Sequence, residues 1–134
     1  MIKILAVDDE ERILKLIRNA LEKEGYEVDA VSDPLRIRKM RLQDYKLILL
    51  DVMMPGMDGF TLCEEIRDLA DCPILFLTAK TEEKDIMRGL GIGGDDYITK
   101  PFGIGELRAR VAAHLRRETR EKKQAVSVNG VQFY

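Results

Sequence analysis

The chain has 134 residues, enough for one domain and too few for two full ones. Its 22 basic residues stand against 24 acidic ones, and this near balance argues against a dedicated nucleic-acid binder, which would be clearly basic. No apolar run approaches the roughly 20 residues of a membrane span, so no membrane partner is expected.

Residues 2–7 form an apolar run and predict a first strand; the run is too short for a signal peptide and no cleavage pattern follows it. Residues 11–24 carry helical period, with Ile13, Leu14, Ile17, Ala20 and Leu21 on one stripe and Gly25 as the terminating glycine. Residues 26–31 predict a second strand and 34–41 a short basic helix. A third strand at 46–50 leads to a helix at 58–69, whose apolar positions are Phe60, Leu62, Ile66 and Leu69. A fourth strand at 73–77 precedes a helix at 82–90. A fifth strand at 97–99 precedes a helix at 105–117, with Leu107, Val111 and Leu115 on one face.

The runs 2–7, 46–50 and 73–77 are continuous rather than alternating, as in strands buried on both faces. Five β-α units in series predict an α/β domain with a parallel sheet, and right-handed crossovers place helices on both of its faces. Residues 118–125 are polar and charged without apolar period, and read as a linker. Residues 126–134 read as two short strands around Asn129 and Gly130, a strong hairpin signal and the expected start of a second domain. The two cysteines, Cys63 and Cys72, form no CxxC pair, which suits a reduced, cytoplasmic protein.

Asp8, Asp9 and Asp51 each stand at the end of a buried apolar run. Functional groups of open α/β sheets gather at the carboxyl ends of the strands. Three carboxylates brought together there repel one another and raise each other's pKa. A hard divalent cation relieves that repulsion, and Mg²⁺ favours a few carboxylates completed by water and phosphate oxygens. The alternative for Asp8 and Asp9 is to cap the helix that follows, and the two roles are compatible. Thr78 and Lys100 lie at two further strand ends. A hydroxyl and an ammonium beside an acid cluster suit phosphoryl transfer, where catalysis is mostly positioning and charge neutralisation.

Together, Asp8-Asp9, the segment from Leu49 through Asp51 and Pro55 to Gly59, Thr78-Ala79 and Lys100-Pro101-Phe102 resemble the receiver domains of two-component response regulators. The resemblance runs in order from about residue 2 to 117. It implies a flavodoxin-like (CheY-like) doubly wound five-stranded sheet of order 2-1-3-4-5. It implies that Asp51 is the phosphoacceptor for a sensor histidine kinase, and that Mg²⁺ or Mn²⁺ is held by Asp9, by Asp8 largely through water, by Asp51 and by the Met53 backbone carbonyl. It further implies that Thr78 and Lys100 contact the phosphoryl oxygens, that Lys100-Pro101 is a cis peptide, and that Tyr97 is an aromatic switch moving with Thr78. The sequence from Asp95 to Phe102, with Arg116-Arg117, resembles more narrowly the OmpR/PhoB class of winged-helix transcription factors. In that resemblance Asp95, Asp96, Glu106, Arg110 and Arg117 belong to a face through which phosphorylated receivers form a homodimer, and residues 126–134 open the DNA-binding domain.

Three departures from the class stand out. Ile86 replaces a basic residue, which leaves Glu106 without its expected partner. Glycines at 89, 91, 93 and 94 crowd the exit of the fourth predicted helix, which predicts a loosened segment. Gly103 and Ile104 stand where a polar cap and a proline are usual. A phosphohydrolase working through an aspartyl-phosphate needs a second acid two residues past the nucleophile; that position is Met53, which transfers no proton. No Gly-rich phosphate loop supports a nucleotide site.

Overall fold

Continuous apolar runs build a sheet with two buried faces. The computed structural model describes residues 1–79 and 83–131. Its strands β1 (Lys3–Val7), β2 (Glu27–Val31), β3 (Leu47–Asp51), β4 (Ile74–Thr78) and β5 (Asp96–Thr99) are all parallel and lie in the order β2-β1-β3-β4-β5. Successive side chains of a strand point to opposite faces. Leu5, Val7, Ile48, Leu50, Ile74 and Phe76 therefore enter one core, while Ile4, Ala6, Leu47, Leu49, Leu75 and Leu77 enter the other.

Helix α1 (Glu11–Glu22) covers the second face with Leu14, Ile17, Ala20 and Leu21, and α4 (Ile104–Val131) covers it with Leu107, Val111 and Leu115. The first face is covered by α2 (Gly59–Ile66) through Phe60, Leu62, Cys63 and Ile66. Helix α3 (Glu83–Gly91) lies between β4 and β5 in the chain. A two-residue antiparallel pair, Met53–Met54 with Met57–Asp58, turns the chain between β3 and α2.

Two expectations are corrected. The basic helix expected at 34–41 is two stretches of 3₁₀ turn, Pro34–Lys39 and Leu42–Asp44. Pro34 and the Asp33 cap on the Leu35 N–H start it well, but Arg36, Arg38 and Lys39 leave only Ile37 as a buried anchor beside Pro34, too little for a regular helix. At the other end α4 runs through the expected linker and into the expected hairpin, as far as Val131; residues 132–134 of that hairpin lie outside the described residues. The stretch from Glu118 to Ala125 is made of Glu, Thr, Arg, Lys, Gln and Ala, mostly strong helix formers, and a helix satisfies its own backbone where a hairpin needs a sheet to pack on.

The carboxylate cluster and its neighbours

Strand register assembles the cluster. Val7 is level with Leu50, so Asp8, one step on, is level with Asp51. Asp51 is level with Leu77, and Thr78 is level with Thr99. The ends of β1, β3, β4 and β5 thus present Asp8, Asp51, Thr78 and Lys100 in a row. The order reverses at β1, where the chain moves first to β2 and then across to β3, and a crevice at such a switch point is where open α/β sheets bind ligands.

Asp8 is 0% and Asp51 2% exposed, whereas Asp9 faces solvent. One carboxylate oxygen from each of the three lies within 4.8 Å of the others. Asp8 Oδ1 accepts from the Glu10 N–H at 2.9 Å, which fixes the turn leading into α1. The cap position of that helix is Glu10, which makes no side-chain cap bond, so Asp8 is not the cap expected of it. Asp8 Oδ2 accepts from Lys100 Nζ at 2.8 Å. Lys100 Nζ donates to Asp51 Oδ1 as well, at 3.2 Å. The Met53 N–H points at that same oxygen from 3.4 Å. Gly59 closes the loop from beneath: a Cβ there would run into the backbone of Asp51, 2.9 Å from its carbonyl carbon, so only glycine lets α2 start this close.

Burial and the neighbouring Asp8 carboxylate push the Asp51 carboxyl up to about 7, against the opposing pull of Lys100. Burial alone would lower the Lys100 ammonium; the hydrogen bond and charge of Asp8, with those of Asp51, outweigh it and hold the ammonium above its ordinary value. Among the described residues, one ammonium, bonded to Asp8 and Asp51, serves a cluster of three carboxylates. That surplus of buried negative charge, on hard oxygen donors open to solvent on the Asp9 side, fits a divalent cation that keeps several waters. Asp8, Asp9 and Asp51 would hold it, with chain near Met53 completing the rim.

Thr78 is 1% exposed, at the end of β4. The Lys100–Pro101 peptide bond is cis. Tyr97 lies beside Phe76 and Phe60, with ring centroids 5.4 and 6.3 Å away, and its hydroxyl donates to the Asp85 carbonyl of α3.

The residues assigned to the dimer face are brought close in part. Arg110 donates to both oxygens of Asp96, at 3.1 and 3.0 Å, and to Glu106 at 3.1 Å. Asp95 turns elsewhere: it accepts from the Ile74 N–H at 2.8 Å and lies 3.4 Å from Arg67. Arg117 joins neither cluster. Sequence reasoning passed over two participants. His114 Nε2 lies 3.0 Å from Asp96 Oδ2, and Arg67 also donates to the carbonyls of Ala70, Cys72 and Gly93. An arginine at the end of a predicted helix and a histidine on an apolar face carried no signal of their own, because their partners come from other elements.

The geometry has clear relatives. The model of the response regulator receiver domain matches residues 4–112. Over 128 residues the chain is 61% identical to the transcriptional regulatory protein SpaR of Bacillus subtilis, covering 96% of this chain and 58% of that protein. It is 50% identical over 123 residues to the nisin biosynthesis regulatory protein NisR of Lactococcus lactis subsp. lactis, covering 90% of this chain and 53% of that protein. The chain thus spans little more than half the length of these curated relatives. The crystal structure of the response regulator DrrB, a Thermotoga maritima OmpR/PhoB homolog, superposes with a TM-score of 0.81 at 32% identity, covering 88% of this chain and 54% of that one.

Proposed function

The chain belongs to the response-regulator receiver family, with OmpR/PhoB-type transcriptional regulators as its relatives, and we propose that it is a phosphorylation switch whose phosphoacceptor is Asp51. The observation that carries this reading is the row of strand ends, in which a buried carboxylate faces two further acids and one ammonium.

An Asp51 oxygen attacks the phosphorus of a phosphohistidine on a sensor histidine kinase. The phosphorus–nitrogen bond breaks, the imidazole leaves with a proton, and an acyl phosphate forms. Acetyl phosphate serves as a small donor in the same way, with acetate leaving, so the domain phosphorylates itself and loses the group slowly to water. Mg²⁺ or Mn²⁺, when bound, would supply positive charge to offset that of the phosphoryl group. Asp9 would hold it directly, Asp8 largely through water, and Asp51 and the Met53 carbonyl would complete the protein's share. Lys100 follows the phosphoryl oxygens as charge grows on them, exchanging its contact with Asp51 for one with the product. The Thr78 hydroxyl donates to another oxygen, and Tyr97 moves with it. The readout is the face formed by α3, β5 and α4, where Asp95, Asp96, Glu106, Arg110 and Arg117 support a homodimer on phosphorylation.

We further expect residues 1–117 to be the receiver, 118–125 a linker continuous with α4, and 126–134 the approach to a winged-helix domain that binds DNA in the cytoplasm. No described helix is long and apolar enough to cross a membrane. The test of the metal requirement is phosphorylation by acetyl phosphate in Mg²⁺ against excess EDTA. Full labelling in Mg²⁺ and none in EDTA is expected; equal labelling in both refutes the metal's role.

A further inference from the structure

Four glycines fall between residues 89 and 94, and glycine is unfavourable in a helix, so composition alone reads this stretch as loose. The structure separates them. Gly91, the last residue of α3, faces open space, with nothing within 4 Å of where a Cβ would stand. Gly89, two residues earlier in the same helix, is buried against rings. A Cβ there would collide with the Tyr97 hydroxyl oxygen, and would stand 2.8 Å from Tyr97 Cε1 and 2.9 Å from Phe60 Cε1. Gly94 is filled from the other side: a Cβ there would overlap the edge of the Phe76 ring, 2.9 Å from its Cδ2, and would stand 2.9 Å from the Gly89 carbonyl oxygen.

The rings that use this space form one cluster. Phe60 and Phe76 meet edge to face at 5.1 Å, Phe76 and Tyr97 at 5.4 Å. Arg88 lies 5.0 Å over Phe60 and 3.5 Å from Asp58, which closes the cluster from the solvent side. The Tyr97 hydroxyl is bonded to the carbonyl of Asp85, one turn before Gly89. The ring therefore lies under α3, and its place is set by what α3 lacks.

We propose that Gly89, backed by Gly94, is the receptacle for the Tyr97 ring, so that the size of residue 89 sets how far the ring stays under α3. In consequence residue 89 controls how strongly phosphorylation of Asp51 reaches the α3–β5–α4 face; this second step rests on the reading of Tyr97 as the switch. Gly89 touches no reacting atom and acts as a positioning residue.

Gly89 and Gly91 make a matched pair. Alanine at either raises the helix propensity of the same helix, but only at 89 does the new methyl meet a ring. The experiment compares wild type, Gly89→Ala and Gly91→Ala in the full chain. The Tyr97 ring protons are followed by NMR first without activator, then with Mg²⁺ and beryllofluoride, alongside sedimentation and the rate of labelling by acetyl phosphate. Gly89→Ala is expected to move the Tyr97 signals toward solvent-exposed values before any activator is added. It should also weaken beryllofluoride-driven dimerisation by about tenfold, the size of a modest overpacking penalty, with the labelling rate unchanged. Gly91→Ala should match wild type in all three. Tyr97 signals that stay in place in Gly89→Ala overturn the proposal. If Gly89→Ala folds poorly, the double variant Gly89→Ala/Tyr97→Leu decides: recovery supports the receptacle, and no recovery overturns it. A wild type whose ring and assembly ignore beryllofluoride refutes the switch reading instead, and the two failures are distinct because the ring's response to Gly89→Ala is read without activator.

Discussion

Lys100 is the residue on which the charge balance of the site turns. It donates to Asp8 and Asp51 from 2.8 and 3.2 Å, and among the described residues it is the one cation paired with either of these buried carboxylates. Lys100→Met should therefore destabilise the metal-free protein by about 3 kcal/mol, the lower end of the cost of breaking a buried ion pair from one side. Saturating Mg²⁺ should recover most of that loss. Thermal melts in EDTA and in Mg²⁺ check this, and an equal deficit in both would contradict it.

Asp96 shows the opposite balance. Burial pushes its carboxyl up, but hydrogen bonds from His114, the Tyr97 N–H and Arg110 outweigh burial and hold it below the ordinary carboxylate value. A group whose folded value is depressed stabilises the fold above its unfolded value, and this contribution is lost as pH falls through the folded value. Asp96→Asn should thus cost about 1 kcal/mol at pH 7, the scale of a partly exposed charge-assisted pair. The gap to wild type should close as pH drops below about 4. Urea titrations across that range measure it.

At the scale of elements, α3 and α2 invite comparison. Both are short, and helices of this length depend on tertiary packing. Helix α2 is capped by Asp58 on the Phe60 N–H at 2.9 Å and buries Phe60, Leu62, Cys63 and Ile66. Helix α3 leaves Met87 64% and Leu90 47% exposed. Amides of α3 should therefore exchange with deuterium faster than those of α2, and Gly91→Ala should slow them by up to about fivefold, the worth of one glycine. Equal protection in the two helices would count against the difference.

The same elements show what was legible beforehand. Leu47 to Leu50 announces a doubly buried strand because a parallel sheet demands apolar residues on both faces, and Asp51 stands out because it ends such a run. The row of Asp8, Asp51, Thr78 and Lys100 was readable for the same reason. The 3₁₀ segment after Pro34 was not, since it turns on how few buried anchors that stretch has, and the continuation of α4 was not, since helix-forming composition outweighs the hairpin pattern around Asn129 and Gly130. Glycine composition was least informative, because it does not separate Gly89 and Gly94, whose places the rings of Tyr97 and Phe76 fill, from Gly91, which faces open space.

At the scale of the whole molecule, the proposed dimer face begins with charges already engaged. Asp96 pairs with Arg110 and Asp95 with Arg67 inside one protomer. A cross-protomer exchange of exposed pairs gains under about 1 kcal/mol each, and Ile86 supplies no charge to meet Glu106. The unphosphorylated domain should therefore be mainly monomeric, and beryllofluoride with Mg²⁺ should favour a dimer by shifting an existing equilibrium. Sedimentation with and without the activator checks it; an unchanged monomer fraction would tell against the face.

All of this depends on one covalent event at one carboxylate, and intact mass after incubation with acetyl phosphate and Mg²⁺ reads it directly. The wild type should gain the mass of a single phosphoryl group and Asp51→Asn should gain nothing, whereas labelling that persists in Asp51→Asn would contradict the assignment of the phosphoacceptor.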